Sequence, residues 1–310
     1  MEANVKIFAG TSSRPLALEL CGFFGKALGN LTIAHFSDGE ISPSFDESIR
    51  GDNVFLVQST QPPAENLMEL LLMIDAARRA SAKQVIVVMP YFGYARQDRK
   101  DKPRVAIAAK LVANLLSAAG AQRLMTCDLH AGQIQGFFDF PVDHLDSLYV
   151  FEKHLRALNL PDMIFAAPDV GGVGRARAYA KHFNTEMVVC DKHRMRANEV
   201  ASMQVIGDVQ GKDVVLVDDM VDTAGTICKA AGIIMDKGAR SVRAVATHGL
   251  LSGNALQNIH NSALEELVLT NTLPVKDNHE PKIKYISIAH LFAEAIRRVH
   301  GHESISSLYV

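Results

Sequence analysis

The sequence predicts an α/β protein of two tandem domains, each built on a mainly parallel sheet flanked by helices. Short apolar, β-branched segments alternate with helical patterns along the chain, and this alternation is typical of strand–helix–strand crossover units. Several strand segments are continuously apolar, which indicates strands covered by helices on both faces. The chain has 310 residues, which is too many for one small core and enough for two ordinary domains.

The same patterns place the individual elements. Strands are predicted at Val5–Phe8, Asn53–Gln58, Gln84–Met89, Arg123–Cys127, Met163–Ala167, Glu186–Cys190, Asp213–Val217, Ser241–Thr247 and Glu266–Thr270. Helices are predicted at Pro15–Leu28, Ala64–Ala80, Arg104–Ala119, Gly172–His182, Ala224–Lys237 and Ala289–His300. The alternation runs to about Val142 and resumes near Leu148, which predicts domains at residues 1–145 and 146–310. The tail beyond about residue 296 is expected to pack back on the first domain.

Composition and charge exclude several classes of protein. Hydrophobic residues are 48% of the chain and charged residues 21%, as in soluble globular proteins. The net charge of −2 argues against a nucleic-acid-binding protein, although a local cluster of Arg and Lys could still bind a small anion. No window approaches the ~18 apolar residues that span a bilayer. The four scattered cysteines favour free thiols in a reducing compartment, so we expect a cytoplasmic protein with no membrane or nucleic-acid partner.

The most informative segment is an apolar strand that leads into acidic residues and a turn of small residues. Its candidate ligand-binding residues are Asp218, Asp219, Asp222, Thr223, Ala224, Gly225 and Thr226. Small residues let backbone N–H groups converge on an anion, and the helix that follows adds further donors and its dipole. The first two carboxylates would repel a phosphate and suit sugar hydroxyls or a metal, so both halves together fit a phosphorylated pentose. The alternative is an ordinary helix start with Asp222 as the N-cap.

This segment resembles the phosphoribosyl-diphosphate loop that type I phosphoribosyltransferases share with ribose-phosphate pyrophosphokinases. Four further segments resemble the pyrophosphokinase family, in the order expected along the chain: Phe36–Glu40, Pro90–Lys100, Thr126–Asp139 and Pro168–Arg177. The resemblance covers nearly the whole chain and is to the class I enzymes. It implies two phosphoribosyltransferase-like domains and an enzyme that transfers the terminal diphosphate of ATP to ribose 5-phosphate.

The resemblance also assigns residues to ATP. They are Phe36, Asp38, Gly39, Glu40, Arg96 and Gln97. An aromatic ring can lie on a purine, the carboxylates can accept hydrogen bonds from an amine or a ribose hydroxyl, and a guanidinium fork suits polyphosphate oxygens. The alternatives are a plain Asp-Gly turn for the first segment and a solvated basic loop for the second. In the family, the first segment contacts adenine in the site of a neighbouring subunit.

Two residues are implied as magnesium ligands. The resemblance assigns His130 and Asp169 to Mg²⁺, which would serve as Mg-ATP and as a second free ion. Asp169 supplies the oxygen that Mg²⁺ prefers, whereas composition alone favours a buried, hydrogen-bonded histidine at position 130. The glycines after Asp169 do not form a dinucleotide fingerprint, because Arg177 stands where that pattern needs glycine. No Walker A motif is present, so a P-loop does not hold the ATP.

Lys192 and Arg194 are the catalytic residues that the resemblance implies. They fall in a charged segment between the strand predicted to end at Cys190 and the next strand near Met203, which we expect to be a mobile loop. The family usually has Arg-Arg-Pro after Asp-Lys, whereas this chain has His193, Arg194 and Met195. One charge and one rigid proline are therefore lost while the lysine and second arginine remain.

The remaining implications concern regulation and assembly. The resemblance assigns phosphate activation and ADP inhibition to a region formed by Arg50, Arg78, Arg79, Ser81 and the tail Glu303–Val310. It implies a homohexamer arranged as a trimer of dimers. Two other functions stay open: a phosphoribosyltransferase, which would not need the Phe36 and Arg96 segments, and a non-catalytic regulatory relative, which should have lost loop or metal residues.

Overall fold

A computed structural model describes residues 4–193, 202–276 and 279–309, apart from the side chains of Lys192, His193 and Ser202. The strands are β1 (Val5–Ala9), β2 (Leu31–His35), β3 (Ile41–Phe45), β4 (Asn53–Val57), β5 (Gln84–Met89), β6 (Arg123–Cys127), β7 (Val142–Leu145), β8 (Met163–Ala167), β9 (Met187–His193), β10 (Ser202–Ile206), β11 (Asp213–Val221), β12 (Ser241–Gly249), β13 (Glu266–Thr270) and β14 (Ile283–Ile286). The helices are α1 (Arg14–Phe24), α2 (Glu65–Arg79), α3 (Ala108–Ala119), α4 (Leu148–Ala157), α5 (Val173–Phe183), α6 (Gly225–Asp236), α7 (Ala255–His260) and α8 (Ala289–His300).

The chain forms two compact units. Unit 1 comprises Met1–Ser147, Thr272–Pro274 and Ser287–Val310, and unit 2 comprises Leu148–Asn271 and Val275–Ile286. The C-terminal segment belongs to unit 1 from Ser287 onward, so helix α8 and the residues after it are not part of the second compact unit.

Unit 1 is built on a parallel sheet of five strands in the order β1-β4-β5-β6-β7. Helices α2 and α3 bury Leu70, Ile74 and Leu116 in one apolar cluster with the sheet residues Val54 and Val87. Helix α1 ends at Gly25, whose φ of +84° is the left-handed conformation that stops a helix. Helix α8 packs against α1 within this unit.

Unit 2 has a sheet of seven strands in the order β10-β9-β8-β11-β12-β13-β14, parallel except for the pairing of β9 with β10. Alternate residues of β11 enter different cores. Val214 and Leu216 pack in the cluster formed with α6, whereas Val215 and Val217 pack in the cluster formed with α4 and α5. The continuous apolar run of this strand is thus explained by helices on both faces.

The predicted α/β class with mainly parallel sheets is confirmed, and the main differences lie at element ends. Helix α3 begins at Ala108 and not at Arg104, because Arg104 has φ of +63° and Ile107 is also non-helical. The hairpin of β2 and β3 was not predicted from the sequence, since none of its residues is fully buried and they lack a long apolar run. Every helix in the described part of the chain is too short or too polar to cross a membrane.

Candidate functional site

In unit 2, the acidic residues of the Asp218–Thr226 segment lie within a strand. The prediction that this strand ends at Val217 was wrong, because β11 continues to Val221 and pairs with β12 beyond Asp218. Its other neighbour, β8, pairs only as far as Leu216. Asp218 and Asp219 therefore stand at the carboxyl edge of the sheet, where open parallel sheets bind ligands.

The two carboxylates share one arginine. Arg175, on α5, has its Nη1 atom 3.3 Å from Asp219 Oδ1 and 4.0 Å from Asp218 Oδ1. Asp219 is buried, whereas the side chain of Asp218 keeps 23% of its surface exposed. Burial and the adjacent Asp219 carboxylate raise the pKa of Asp218 well above its usual value, and Arg175 opposes this rise. A ligand that donates hydrogen bonds or carries positive charge would stabilise the Asp218 carboxylate.

Arg175 is a site residue that was not predicted from the sequence. It lies 44 residues before Asp219, inside the Pro168–Arg177 segment, in which only Asp169 was assigned a role. Its approach to the carboxylates depends on how α5 packs on the sheet, and no local pattern reports that packing. The available signal was weak: an arginine on the first turn of the helix that follows Asp169.

The turn after β11 has an unusual backbone. Ala224 adopts φ of +61° and ψ of 1°, and α6 starts at the next residue, Gly225. A non-glycine residue in this left-handed region costs about 1–2 kcal/mol, which is often found where a turn serves a function. The carbonyl of Asp222 accepts from the Ser252 N–H at 2.8 Å, and that of Thr223 accepts from Asn258 Nδ2 at 2.9 Å. Donors within the protein thus bind both of these carbonyl oxygens. The first N–H groups of α6, which have no acceptor within the helix, lie beside the turn.

The plain N-cap interpretation of this segment is not supported. The residue in the N-cap position of α6 is Ala224, whose methyl side chain makes no cap hydrogen bond. Asp222 is half-buried and lies two residues earlier. The start of α6 is therefore a helix N-terminus flanked by small and hydroxylic residues, which is the arrangement that binds phosphate in many α/β proteins.

Asp169 follows β8 at the same edge of the unit 2 sheet. It precedes a short 3₁₀ turn, Val170–Gly172, and its Oδ1 accepts from the Gly172 N–H at 3.1 Å. An ionised carboxylate has about four acceptor positions, so this bond leaves capacity for a cation. Among the described residues, no group of three or more His, Cys, Asp or Glu side chains is gathered as a cation site. A cation on Asp169 would therefore take other ligands from substrate and water.

Lys192 lies in a strand, which corrects the expected start of the mobile loop. Strand β9 continues to His193, and Lys192 pairs with Met203 of the antiparallel β10. The pairing with β10 extends the strand into polar residues that no apolar pattern marks. Arg194 and the residues after it, up to Ala201, lie outside the described part of the chain, so its predicted role stays a prediction.

In unit 1, Arg96 and Gln97 lie in the loop after β5. This loop is held against the end of β4, because the Gly93 N–H donates to Thr60 Oγ1 at 2.8 Å. A Cβ atom on Gly93 would lie 2.0 Å from the Thr60 carbonyl oxygen, so only glycine permits this approach. Arg96 and Gln97 are both exposed at the carboxyl edge of the sheet.

His130 follows β6 in a turn that is tied to the end of β7 and to the residues after it. Asp128 has φ of +40°, and its N–H donates to the Leu145 carbonyl at 3.1 Å. The Leu129 N–H donates to His144 Nε2 at 2.9 Å, and Ser147 Oγ donates to the Asp128 carboxylate. His130 itself is exposed. The interpretation of a buried histidine at this position is therefore wrong.

The Phe36–Glu40 segment is the turn between β2 and β3. The Phe36 N–H donates to the Glu40 carbonyl at 2.9 Å, and Gly39 has φ of +97°, as an Asp-Gly turn requires. The Phe36 ring is 60% exposed, and the Asp38 and Glu40 carboxylates are exposed as well. The turn thus presents an aromatic ring and two acids to solvent.

The four candidate regulatory residues have different surroundings. Arg50 Nη1 donates to Ser81 Oγ at 3.1 Å, so these two lie together. Arg79 is paired with Asp75 of its own helix at 2.6 Å. Arg78 packs on Gly120, where an added Cβ atom would lie 1.9 Å from Arg78 Cδ. Of the four candidate residues, Arg50 and Ser81 are thus the two that a described hydrogen bond brings together.

Comparison with known families matches both halves of the chain. Residues 5–120 match the N-terminal domain of ribose phosphate pyrophosphokinase, and residues 168–310 match the phosphoribosyl synthetase-associated domain.

Individual relatives match over the full length. The chain is 57% identical over 309 residues to a ribose-phosphate pyrophosphokinase of Porphyromonas gingivalis, covering 99% of this chain and 98% of the relative. It is 52% identical over 310 residues to the same enzyme of Chlorobaculum tepidum, covering 100% and 96%. The crystal structure of phosphoribosylpyrophosphate synthetase from Mycobacterium smegmatis is similar with a TM-score of 0.91 and 40% identity, covering 96% of this chain and 99% of that one.

Proposed function

Because this chain belongs to the ribose-phosphate pyrophosphokinase family, we propose that it transfers the diphosphate of ATP to the anomeric oxygen of ribose 5-phosphate. The products are AMP and 5-phospho-α-ribose 1-diphosphate. The observation that carries this proposal is the Asp218–Thr226 segment, in which two strand-edge carboxylates precede a left-handed turn at the start of α6. It offers hydroxyl acceptors and phosphate donors in one short stretch.

The acceptor substrate is assigned to this segment of unit 2. The 5-phosphate would accept from the amides at the start of α6 and from the hydroxyls of Thr223 and Thr226. The ribose hydroxyls would donate to Asp218, whose charge is destabilised by burial and by Asp219. Arg175 orients both carboxylates, so its contribution is to position the sugar contacts.

ATP is assigned to residues of unit 1. The exposed Arg96 and Gln97 suit the triphosphate oxygens, since a guanidinium forms paired hydrogen bonds with phosphate. The exposed Phe36 ring with Asp38 and Glu40 suits adenine and its ribose. As in the family, we assign that turn to the ATP site of a neighbouring subunit.

Magnesium fits the chemistry of Asp169 better than that of His130. Mg²⁺ keeps several waters and is usually held by one or two carboxylates and by substrate phosphates, which matches a half-buried carboxylate with spare acceptor positions. His130 is exposed and could reach an ion only as a weaker nitrogen ligand. When bound, as Mg-ATP and as a second free ion, the metal would neutralise charge on the phosphate oxygens.

The reaction needs positioning and charge compensation from this chain, with no covalent enzyme intermediate. The anomeric oxygen attacks the β-phosphorus in line, the bond from that phosphorus to the α-phosphate oxygen breaks, and the anomeric proton goes to solvent. Lys192 and Arg194 are assigned to the transferring group, where their charges would offset the negative charge that develops on the AMP oxygen.

Two measurements test the proposal against a phosphoribosyltransferase or a non-catalytic relative. AMP release from ATP should depend strictly on added ribose 5-phosphate, and phosphorus NMR should detect the sugar diphosphate. Release of diphosphate from 5-phospho-α-ribose 1-diphosphate on addition of a purine base, without AMP formation from ATP, would favour the transferase. Binding of both substrates without turnover would favour the regulatory relative.

We also propose a homohexamer, arranged as a trimer of dimers, activated by inorganic phosphate and located in the cytoplasm. Unit 1 exposes large apolar side chains on two helices, Leu18 and Phe23 on α1 and Leu111 and Leu115 on α3, and such exposure is typical of surfaces covered on assembly. The phosphate is assigned to the region of Arg50, Arg78, Arg79 and Ser81. Sedimentation at working concentration should give one hexameric species, and a fully active monomer would contradict the shared adenine site.

A further inference from the structure

The C-terminal tail of unit 1 ends beside the turn that carries His130. After α8, a short 3₁₀ helix spans Ile305–Tyr309. Arg298 of α8 fixes the tail, because its Nη1 donates to the Ser304 carbonyl at 3.0 Å and also bonds Ser307 Oγ. Ser307 Oγ in turn donates to the Ser304 carbonyl at 2.7 Å. The tail is thus held in one path by the last turn of α8.

Tyr309 joins this tail to the segment after β7. Its hydroxyl oxygen accepts from the Asp146 N–H at 3.2 Å. Burial raises the pKa of Tyr309, as do the nearby Cys127, Asp146 and Asp128, so the hydroxyl stays neutral over the whole working range. The Tyr309 hydroxyl therefore lies close to the end of β6 and to the residues that precede His130.

The segment that Tyr309 holds is the same one that holds the His130 turn. Asp146 lies between Leu145, whose carbonyl accepts from the Asp128 N–H at 3.1 Å, and Ser147, whose Oγ donates to the Asp128 carboxylate. Asp128 has φ of +40°, a backbone conformation that is unfavourable for a non-glycine residue unless its surroundings hold it. The bonds to residues 144–147 maintain it, and Tyr309 fixes the position of those residues.

We propose that Tyr309 is a positioning residue for ATP binding, acting through Asp146 and the Asp128 turn on His130. This inference rests on the proposed function, in which the exposed His130 is a weaker, nitrogen ligand of the magnesium bound with ATP. The tail would then set the affinity of unit 1 for Mg-ATP without touching the nucleotide. Ribose 5-phosphate, assigned to unit 2, should be indifferent to it.

The test removes one hydroxyl group. Tyr309→Phe keeps the ring and loses the hydrogen bond from the Asp146 N–H. Tyr149→Phe is a matched control, because Tyr149 lies in unit 2 with its ring against His182. A lost neutral hydrogen bond should weaken Mg-ATP binding and raise its KM about three- to tenfold, with kcat changed by less than about twofold. The KM for ribose 5-phosphate should stay at the wild-type value. Hydrogen exchange should quicken in peptides that contain Asp128 and Asp146.

The outcomes separate this inference from the proposed function. Wild-type Mg-ATP affinity and wild-type exchange in Tyr309→Phe would overturn the positioning role. A lower Tm with equal weakening of both substrates would also overturn it, because it would show a general structural role. Absence of AMP release by the wild-type enzyme would refute the proposed function, whereas Mg-ATP calorimetry and exchange on the two variants would still decide the role of Tyr309.

Discussion

At the scale of single residues, the candidate sugar site depends on a contrast between two adjacent carboxylates. Asp219 is buried and lies 3.3 Å from Arg175, so its charge is already compensated. Asp218 is more exposed, and its Oδ1 lies farther from the same guanidinium, at 4.0 Å. Burial and the Asp219 carboxylate raise the pKa of Asp218. Of the two carboxylates, Asp218 is therefore the one that is better placed to accept from a ligand hydroxyl.

Thr226 on the first turn of α6 allows the phosphate assignment to be tested. Thr226→Ala should mainly raise the KM for ribose 5-phosphate, because the 5-phosphate is bound equally in the ground and transition states. The loss should be about 1–3 kcal/mol, and Asp222→Ala should act in the same direction. Thr185→Ala, a half-buried threonine that follows α5 in the same unit, is the control for steady-state kinetics. An unchanged sugar KM in both loop variants would remove this turn from the substrate site.

Glu266 allows a prediction about pH, independent of the site. Burial raises the pKa of Glu266, but hydrogen bonds from Lys284 and from His154, at 2.7 Å, outweigh burial, so the pKa is lowered overall. A lowered carboxyl pKa stabilises the fold above the unfolded value of about 4.3, and this contribution is lost as the pH falls through the folded value.

Urea unfolding at two pH values measures this contribution. Glu266→Gln should reduce the free energy of unfolding by about 1.5–3 kcal/mol at neutral pH, and the difference from wild type should shrink at acidic pH. Glu265→Gln is the matched control, because the Glu265 side chain is 50% exposed and its ion pair with Arg243 should contribute about 0–1 kcal/mol. A difference for Glu266→Gln that persists unchanged at acidic pH would show that the carboxylate charge is not the cause.

At the scale of elements, the sequence predicts the buried strands well and their ends poorly. Strands β5, β6, β8 and β13 have the predicted bounds, because their apolar runs coincide with the residues buried between helices. Strands β9 and β11 run on into polar residues, since pairing with β10 and β12 supplies backbone partners that no local pattern encodes. The chemistry of the Asp218–Thr226 segment was predictable from residue types, whereas the approach of Arg175 was not.

Strand β9 has a consequence for Lys192, which pairs with Met203 across the hairpin. Residues 189–193 all pair with β10. This pairing anchors the backbone of Lys192 more firmly than a loop would. If its charge acts only as diphosphate transfer proceeds, Lys192→Ala should lower kcat by several orders of magnitude and change either KM far less. Lys153→Ala, an exposed lysine on α4, is the control. A kcat within about tenfold of wild type, some 1.4 kcal/mol in barrier height, would exclude a catalytic role.

At the scale of the whole molecule, two compact units account for the fold, but their membership does not follow chain order. The repeated strand–helix alternation predicts two units with cores of their own, because each parallel sheet needs helices on its faces. The apolar face of α8 fits either core equally well from its sequence, since an amphipathic pattern specifies that a face is buried and not against what. In the structure this face lies in unit 1, where Phe292 and Ile296 are fully buried.

Paired core truncations can show that α8 stabilises unit 1. Phe292→Ala should cost about 3–5 kcal/mol, as expected for removal of a buried phenyl ring, and Phe165→Ala in unit 2 should cost a similar amount. Because local opening follows cooperative units, hydrogen exchange in Phe292→Ala should quicken in α1 and β1 while β11–β13 stay protected. Phe165→Ala should give the reverse pattern. If hydrogen exchange in Phe292→Ala instead quickened first in β11–β13, α8 would stabilise unit 2 and not unit 1. The division of the chain after Ile286 would then not correspond to separate units of stability.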